Sequence, residues 1–131
     1  MPYTRFKGAE WLGHIVENAE RIRDHLGGSY SSERFDTPLV ADAVERCLER
    51  ISEAAARLHR AGEDLDQHAP EVAWADVRGF GNIVRHEYDG VDPNIVRNTV
   101  VRDLPVLVEA ATRLQRLFND DAAPPPQRPM A

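Results

Sequence analysis

Apolar residues recur at steps of three and four along four separate stretches, and none of these stretches alternates with the period of two that a strand requires. Leu12, Ile15, Val16, Ala19, Ile22 and Leu26 form one stripe, which predicts a helix from Ala9 to Leu26, stopped by Gly27-Gly28 in the manner of a C-cap. Thr37-Pro38, a cap residue followed by an N1 proline, opens a second helix. Its stripe runs through Val40, Val44, Cys47, Leu48, Ile51, Ala55 and Leu58, and Gly62 ends it. Residues 63–72 are polar, contain Pro70, and read as a loop with room for one short turn. A third helix is predicted over Ala73 to Tyr88. A fourth opens at Asp92-Pro93 and carries Val96, Val100, Leu104, Leu107, Ala111, Leu114 and Phe118. Pro105 inside it predicts a bend near Val101 to Asp103.

Four amphipathic helices with short links predict an all-α, up-and-down four-helix bundle. The 131 residues suit a single domain, placed at 1–120. The proline-rich end "APPPQRPMA" cannot continue a helix, so 121–131 is expected to be a disordered tail.

Charge and cysteine narrow the function classes. The formal net charge is −6, which argues against a sequence-blind nucleic-acid coat and gives no reason to expect DNA as a partner. A small local cationic site remains compatible with it. Arginine supplies 15 of the 16 basic residues, and its planar fork suits carboxylates and phosphates. Cys47 is the single cysteine and has no partner for an internal disulfide. With no apolar run of membrane-spanning length and no leader-like segment, a cytoplasmic protein is expected, with no membrane partner. A metal–carboxylate bundle needs paired Glu-x-x-His elements on facing helices. Glu10 and His14 are four apart and unpaired, so neither a metal nor a cofactor is expected.

The stretch "GFGNIVRHEYDG" (79–90) is unlike the rest of the chain. On a helical wheel, Val77, Phe80, Gly81, Val84 and Tyr88 fall on one arc, which should face the core. Arg78, Asn82, Arg85, His86 and Asp89 fall on the other, dense in groups that bind anions or move protons. Each residue has an ordinary structural reading as well. His86 suits a solvated position near a helix end, where a cation meets the dipole favourably. Tyr88 suits a rim, its ring in the core and its hydroxyl outside. Asn82 suits a bond to nearby backbone, and Arg78 and Arg85 suit surface ion pairs. Gly81 costs about 1 kcal/mol against alanine in a helix and suits a close helix–helix approach.

Four segments in order, "DAVERCLERISEA" (42–54), "PEVAW" (70–74), "GNIVRHEYDGVDP" (81–93) and "RDLPVL" (102–107), resemble the HepT-like branch of the HEPN superfamily. The resemblance runs from about Trp11 to Leu117. It implies a bundle of four helices, with room for a fifth, that forms a homodimer with a cleft between subunits. It further implies a metal-independent ribonuclease that acts on RNA as the toxin of a toxin–antitoxin pair. The antitoxin partner would be a minimal nucleotidyltransferase. The family motif is an arginine, a polar residue, a short spacer, a histidine, any residue and a tyrosine. It places its asparagine at Asn82, its histidine at His86 and its tyrosine, the site of AMP addition by the transferase, at Tyr88. The arginine position is Gly81, which has no cation to offer. Arg85 and Arg78 are then the expected substitutes, reaching His86 from the opposite protomer of a symmetric dimer. The alternative expectation is a non-catalytic adaptor that keeps the bundle and the transferase contact and has no need of the arginine.

Overall fold

The computed structural model describes residues 2–31, 33–88 and 94–123, without the side chains of 36 and 85–88. Six α-helices and one 3-10 turn make up the described residues, and no strand occurs among them. The helices are α1 (Arg5–His25), α2 (Pro38–Arg60), α3 (Leu65–His68), α4 (Trp74–Arg78), α5 (Phe80–Tyr88) and α6 (Asn94–Ala122), with the 3-10 turn at Glu33–Asp36. The all-α bundle expected from the apolar periodicity is therefore the observed architecture. The expected Asp92-Pro93 start of the last helix, Asp89 and the tail beyond residue 123 lie outside the described residues.

The four stripes close on one core. Helix α1 packs against both α2 and α6, and α5 packs mainly against α2 and more lightly against α6. Leu12, Ile15, Leu48, Ile51, Leu104 and Leu107 are fully buried where the stripes meet. Of the expected stripe residues of α1, α2 and α6, only Val16 and Val40 sit at the margin, partly buried. Pro105 lies within α6, which continues through it as one helix. The exposure of Pro105 keeps its ring on the solvent side.

Helix α1 begins at Arg5, a turn before the expected start at Ala9. Thr4 caps it, its Oγ1 accepting from the Lys7 amide at 3.3 Å. A polar latch holds that extra turn. The Tyr3 hydroxyl donates to Glu63 Oε1 at 2.9 Å, and Arg5 bridges Glu63 at 2.9 Å and Asp121 at 3.0 Å. The Arg5 guanidinium also lies 4.1 Å from the centroid of Phe118. Burial first, and then the bond to Glu63, pushes the Tyr3 phenol well above its ordinary range. Gly8 lets α1 approach this corner closely. A Cβ there would collide with the Tyr3 hydroxyl and lie 2.9 Å from Phe118 Cδ2. At the other end of α1, Gly27 takes φ 88°, and the Gly28 amide returns to Arg23 O at 2.8 Å. That is the expected glycine C-cap.

The single helix predicted over Ala73–Tyr88 is two helices, α4 and α5, separated at Gly79. The reason lies outside the segment. In a continuous helix the Asn82 amide would donate to Arg78 O. Here it donates to Gly79 O at 2.9 Å, and the Arg78 carbonyl accepts instead from the buried Ser52 hydroxyl of α2 at 2.6 Å. The loop before α4 contains the one-turn α3, whose Asp64 side chain caps the Gln67 amide at 3.1 Å. Trp74 closes the loop from inside, fully buried, with Nε1 donating to Ala69 O at 3.1 Å.

Candidate functional site

Helix α5 carries the unusual stretch, and its burial pattern follows the wheel. Phe80 and Val84 are buried, Gly81 and Ile83 are half-buried, and Asn82 is exposed. The helical backbone continues through Arg85, His86 and Tyr88, whose side chains lie outside the described residues. By register, positions 82 and 86 share one face as an i,i+4 pair. Gly81 sits within α5 and is not among the glycines with positive φ. The absence of a side chain at 81 is therefore not a backbone requirement.

Arg78 does not join this face. The break at Gly79 separates its helix from α5, and Arg78 opens onto a hollow of about 240 Å³ between the end of α2 and α3. His59, Glu63, Asp64 and Asp66 line that hollow with it. Glu63 in that lining is already held by Arg5 and Tyr3, and the acidic lining makes the hollow a poor seat for a phosphate.

A different groove runs along the other flank of α5. It measures about 420 Å³, and Gly79 and Ile83 face Ile95, Asn98, Thr99, Arg102 and Asp103 of α6 across it. The size is within the roughly 300–1,000 Å³ usual for small-ligand sites. Arg102 is its one guanidinium. It binds Asp103 through two parallel bonds, Nε to Oδ1 at 2.9 Å and Nη2 to Oδ2 at 3.3 Å. Those bonds, and then the charge of Asp103, hold Arg102 protonated above its ordinary range. Its side chain remains 72% exposed. Sequence reasoning gave Arg102 no part, because on the wheel of α6 alone it is one more solvated arginine. The signal that was available is its place in the "RDLPVL" segment.

Among the described residues no group of three or more His, Cys, Asp or Glu side chains is arranged to hold a metal ion, and no helix is long and apolar enough to cross a membrane. His14, His25 and His59 are exposed and His68 is half-buried. His68 lies edge-on to Phe118, 6.1 Å between centroids.

Known proteins share this helical sequence over most of its length. "Putative RNase TTE0752" of Caldanaerobacter subterraneus subsp. tengcongensis is 29% identical over 97 residues, 74% of this chain and 84% of that protein. "Putative RNase MJ1380" of Methanocaldococcus jannaschii is 28% identical over 72% of this chain and 84% of its own length. "Probable ribonuclease HepT" of Thermococcus cleftensis is 26% identical over 82% of this chain and 94% of its own length. No solved structure matches the chain significantly. The family model described as "Ribonuclease HepT-like" matches residues 15–114, from the middle of α1 to the last turns of α6 and across the whole of α5. By that match the chain belongs to the HepT-like ribonuclease family, within the HEPN superfamily.

Proposed function

We propose that this protein is a metal-independent RNA endonuclease, the toxin of a toxin–antitoxin pair, working as a homodimer in the cytoplasm. The observation that carries the reading is the register of α5 inside a family match spanning residues 15–114. Asn82, His86 and Tyr88 stand at the spacing of the family motif on one short helix. The RNase names of the relatives point to RNA as the substrate.

The chemistry follows from the residues. The His86 imidazole takes the proton of a ribose 2′-hydroxyl, which is the work a neutral imidazole does near pH 7. The 2′-oxygen then bonds to phosphorus, and the bond from phosphorus to the 5′-oxygen breaks. That oxygen leaves with a proton taken from water, and a 2′,3′-cyclic phosphate remains. Asn82, one turn before His86, offers an amide to orient the phosphate. A guanidinium is needed where negative charge builds on the phosphoryl oxygens. With glycine at 81 it has to come from elsewhere, and Arg85 of the opposite protomer is one source. Tyr88 is the acceptor of AMP from a partner nucleotidyltransferase. Its phenol oxygen attacks the α-phosphate of ATP, and pyrophosphate leaves. The added bulk and negative charge repel a phosphodiester from the cleft.

Gly81 favours a second reading, a non-catalytic adaptor that binds the transferase or is modified by it. Growth separates the two. Under the toxin reading, expression of the chain alone arrests bacterial growth, His86→Ala relieves the arrest, and purified protein cleaves RNA in the presence of EDTA. Normal growth with the unaltered chain, together with no cleavage in vitro, selects the adaptor.

A further inference from the structure

A groove of about 420 Å³ runs between α1 and α2, and no residue of α5 lines it. Asn18 and Ala54 are its buried floor. Trp11 borders it, half-buried, with its ring stacked on Tyr3 at 5.7 Å between centroids. The two helices run in opposite directions, because the Tyr3 hydroxyl before α1 reaches Glu63 just beyond the end of α2. The charges of Arg21 and Arg50 both bear on the Cys47 thiol, which sets Arg21 of α1 at the level of Cys47 of α2. Three residues back along α1 and three forward along α2, Asn18 and Arg50 therefore share a level. Trp11 lies seven residues further along α1, about 10 Å down the axis.

Two groups at the Asn18 level are uncommitted. Asn18 is 5% exposed, and its Nδ2 donates to His14 O at 2.8 Å, which fixes the way the amide faces. The Oδ1 acceptor then meets no donor of the protein. A buried acceptor in that state is costly and calls for a donor from outside. Arg50 is exposed and has no ion pair among the described residues. The other three guanidiniums of the groove are held by glutamates of their own helices: Arg21 by Glu17 at 2.9 Å, Arg46 by Glu49 at 3.1 Å and Arg57 by Glu53 at 3.1 Å. The groove thus offers one acceptor, one free cation and one aromatic ring.

We propose that this groove binds a ribonucleotide unit, free or within a single-stranded RNA. Its base lies against Trp11, its 2′-hydroxyl donates to Asn18 Oδ1, and its phosphate accepts from Arg50. The 2′-hydroxyl is the donor that a ribonucleotide keeps inside a strand and that a deoxyribonucleotide lacks. Stacking on an aromatic ring tolerates every base. The site therefore selects ribose over deoxyribose rather than one sequence over another. With a single free cation it holds a single phosphate, and its salt dependence is shallow. The strand form rests on the ribonuclease reading and gives the RNA a contact away from the motif helix; the free-nucleotide form stands apart from that reading.

The test is titration of the full-length protein with AMP, dAMP and a tetra-adenylate RNA, followed by calorimetry and tryptophan fluorescence. The RNA arm uses a His86→Ala background to prevent cleavage. Trp74 is fully buried, so quenching reports Trp11. AMP is expected to bind about tenfold tighter than dAMP, the effect of one hydrogen bond to a buried acceptor. Asn18→Leu removes that preference and is at least as stable in urea, because the unmet carbonyl is gone. An Asn18 with a structural role alone would lose stability and leave the ratio of AMP to dAMP affinity unmoved. Arg50→Ala, at an exposed position, abolishes a log–log salt slope of about −0.7. Binding of the RNA about tenfold or more above AMP makes the occupant a strand, and equal affinity makes it a free nucleotide. Equal affinity for AMP and dAMP in the unaltered protein, or no binding of AMP up to about 1 mM, overturns the assignment. RNA cleavage without this binding leaves the ribonuclease reading intact, whereas binding without cleavage overturns that reading alone.

Discussion

The hydroxyl of Ser52, buried in α2, donates to the backbone carbonyl of Arg78 at 2.6 Å and so ends α4 one residue before α5 begins. The bond ties the end of α4, two residues before the motif helix, to α2, the helix that α5 mainly packs against. It also sends Arg78 toward the α2–α3 hollow and leaves Asn82 on the exposed face of α5.

Ser52→Ala leaves that carbonyl without a donor in a buried place. The expected cost is about 1–3 kcal/mol of unfolding free energy, measured by urea denaturation. If the motif helix depends on this tether, RNA cleavage falls as well, while far-ultraviolet circular dichroism stays the same. A variant as stable as the unaltered protein would show the bond to be dispensable.

Gly8→Ala forces a methyl group against the Tyr3 hydroxyl and Phe118. Overpacking of this kind costs about 1–3 kcal/mol. Tyr3→Phe in the same chain removes the hydroxyl and recovers part of the loss, so the two substitutions are non-additive in thermal unfolding. Equal and additive effects would mean that the corner yields without strain.

Cys47 is 3% exposed, and burial pushes its thiol above the ordinary range. The thiolate is the reactive species. Labelling by a disulfide reagent at pH 8 is therefore expected to proceed at the rate of unfolding, and to speed up in urea in step with loss of helix. Prompt labelling of the folded protein would contradict the packing of α2 against α1.

Tyr88 is expected to gain the mass of one or more AMP units when the protein is incubated with its cognate nucleotidyltransferase and ATP. Tyr88→Phe stays unmodified and, under the toxin reading, stays toxic in the presence of the transferase. Intact-mass spectrometry decides it. Modification of Tyr88→Phe to the same extent would move the acceptor to another residue.

The parts of this fold that were legible in the sequence are those set by local periodicity. The stripes of α1, α2 and α6 are long, and their apolar residues are buried as the spacing required. The division of α4 from α5 was not legible, because Gly79 and Phe80 carry no local stop signal strong enough. The break depends on Ser52, 26 positions away in sequence. The early start of α1 was hidden for a similar reason: Arg5 and Tyr3 are polar, and only Glu63 and Asp121 explain their order. In the site, the register of Asn82 with His86 needed nothing but a helix. The groove between α5 and α6 needed the packing of two helices, which no wheel of a single helix contains.

Position 81 has ordinary helical backbone and lies at the margin of the buried face, half-covered. Its backbone therefore makes no demand for glycine. In evolutionary terms the lineage can regain an arginine there by a single exchange, since a long side chain at such a margin extends its charged end into water.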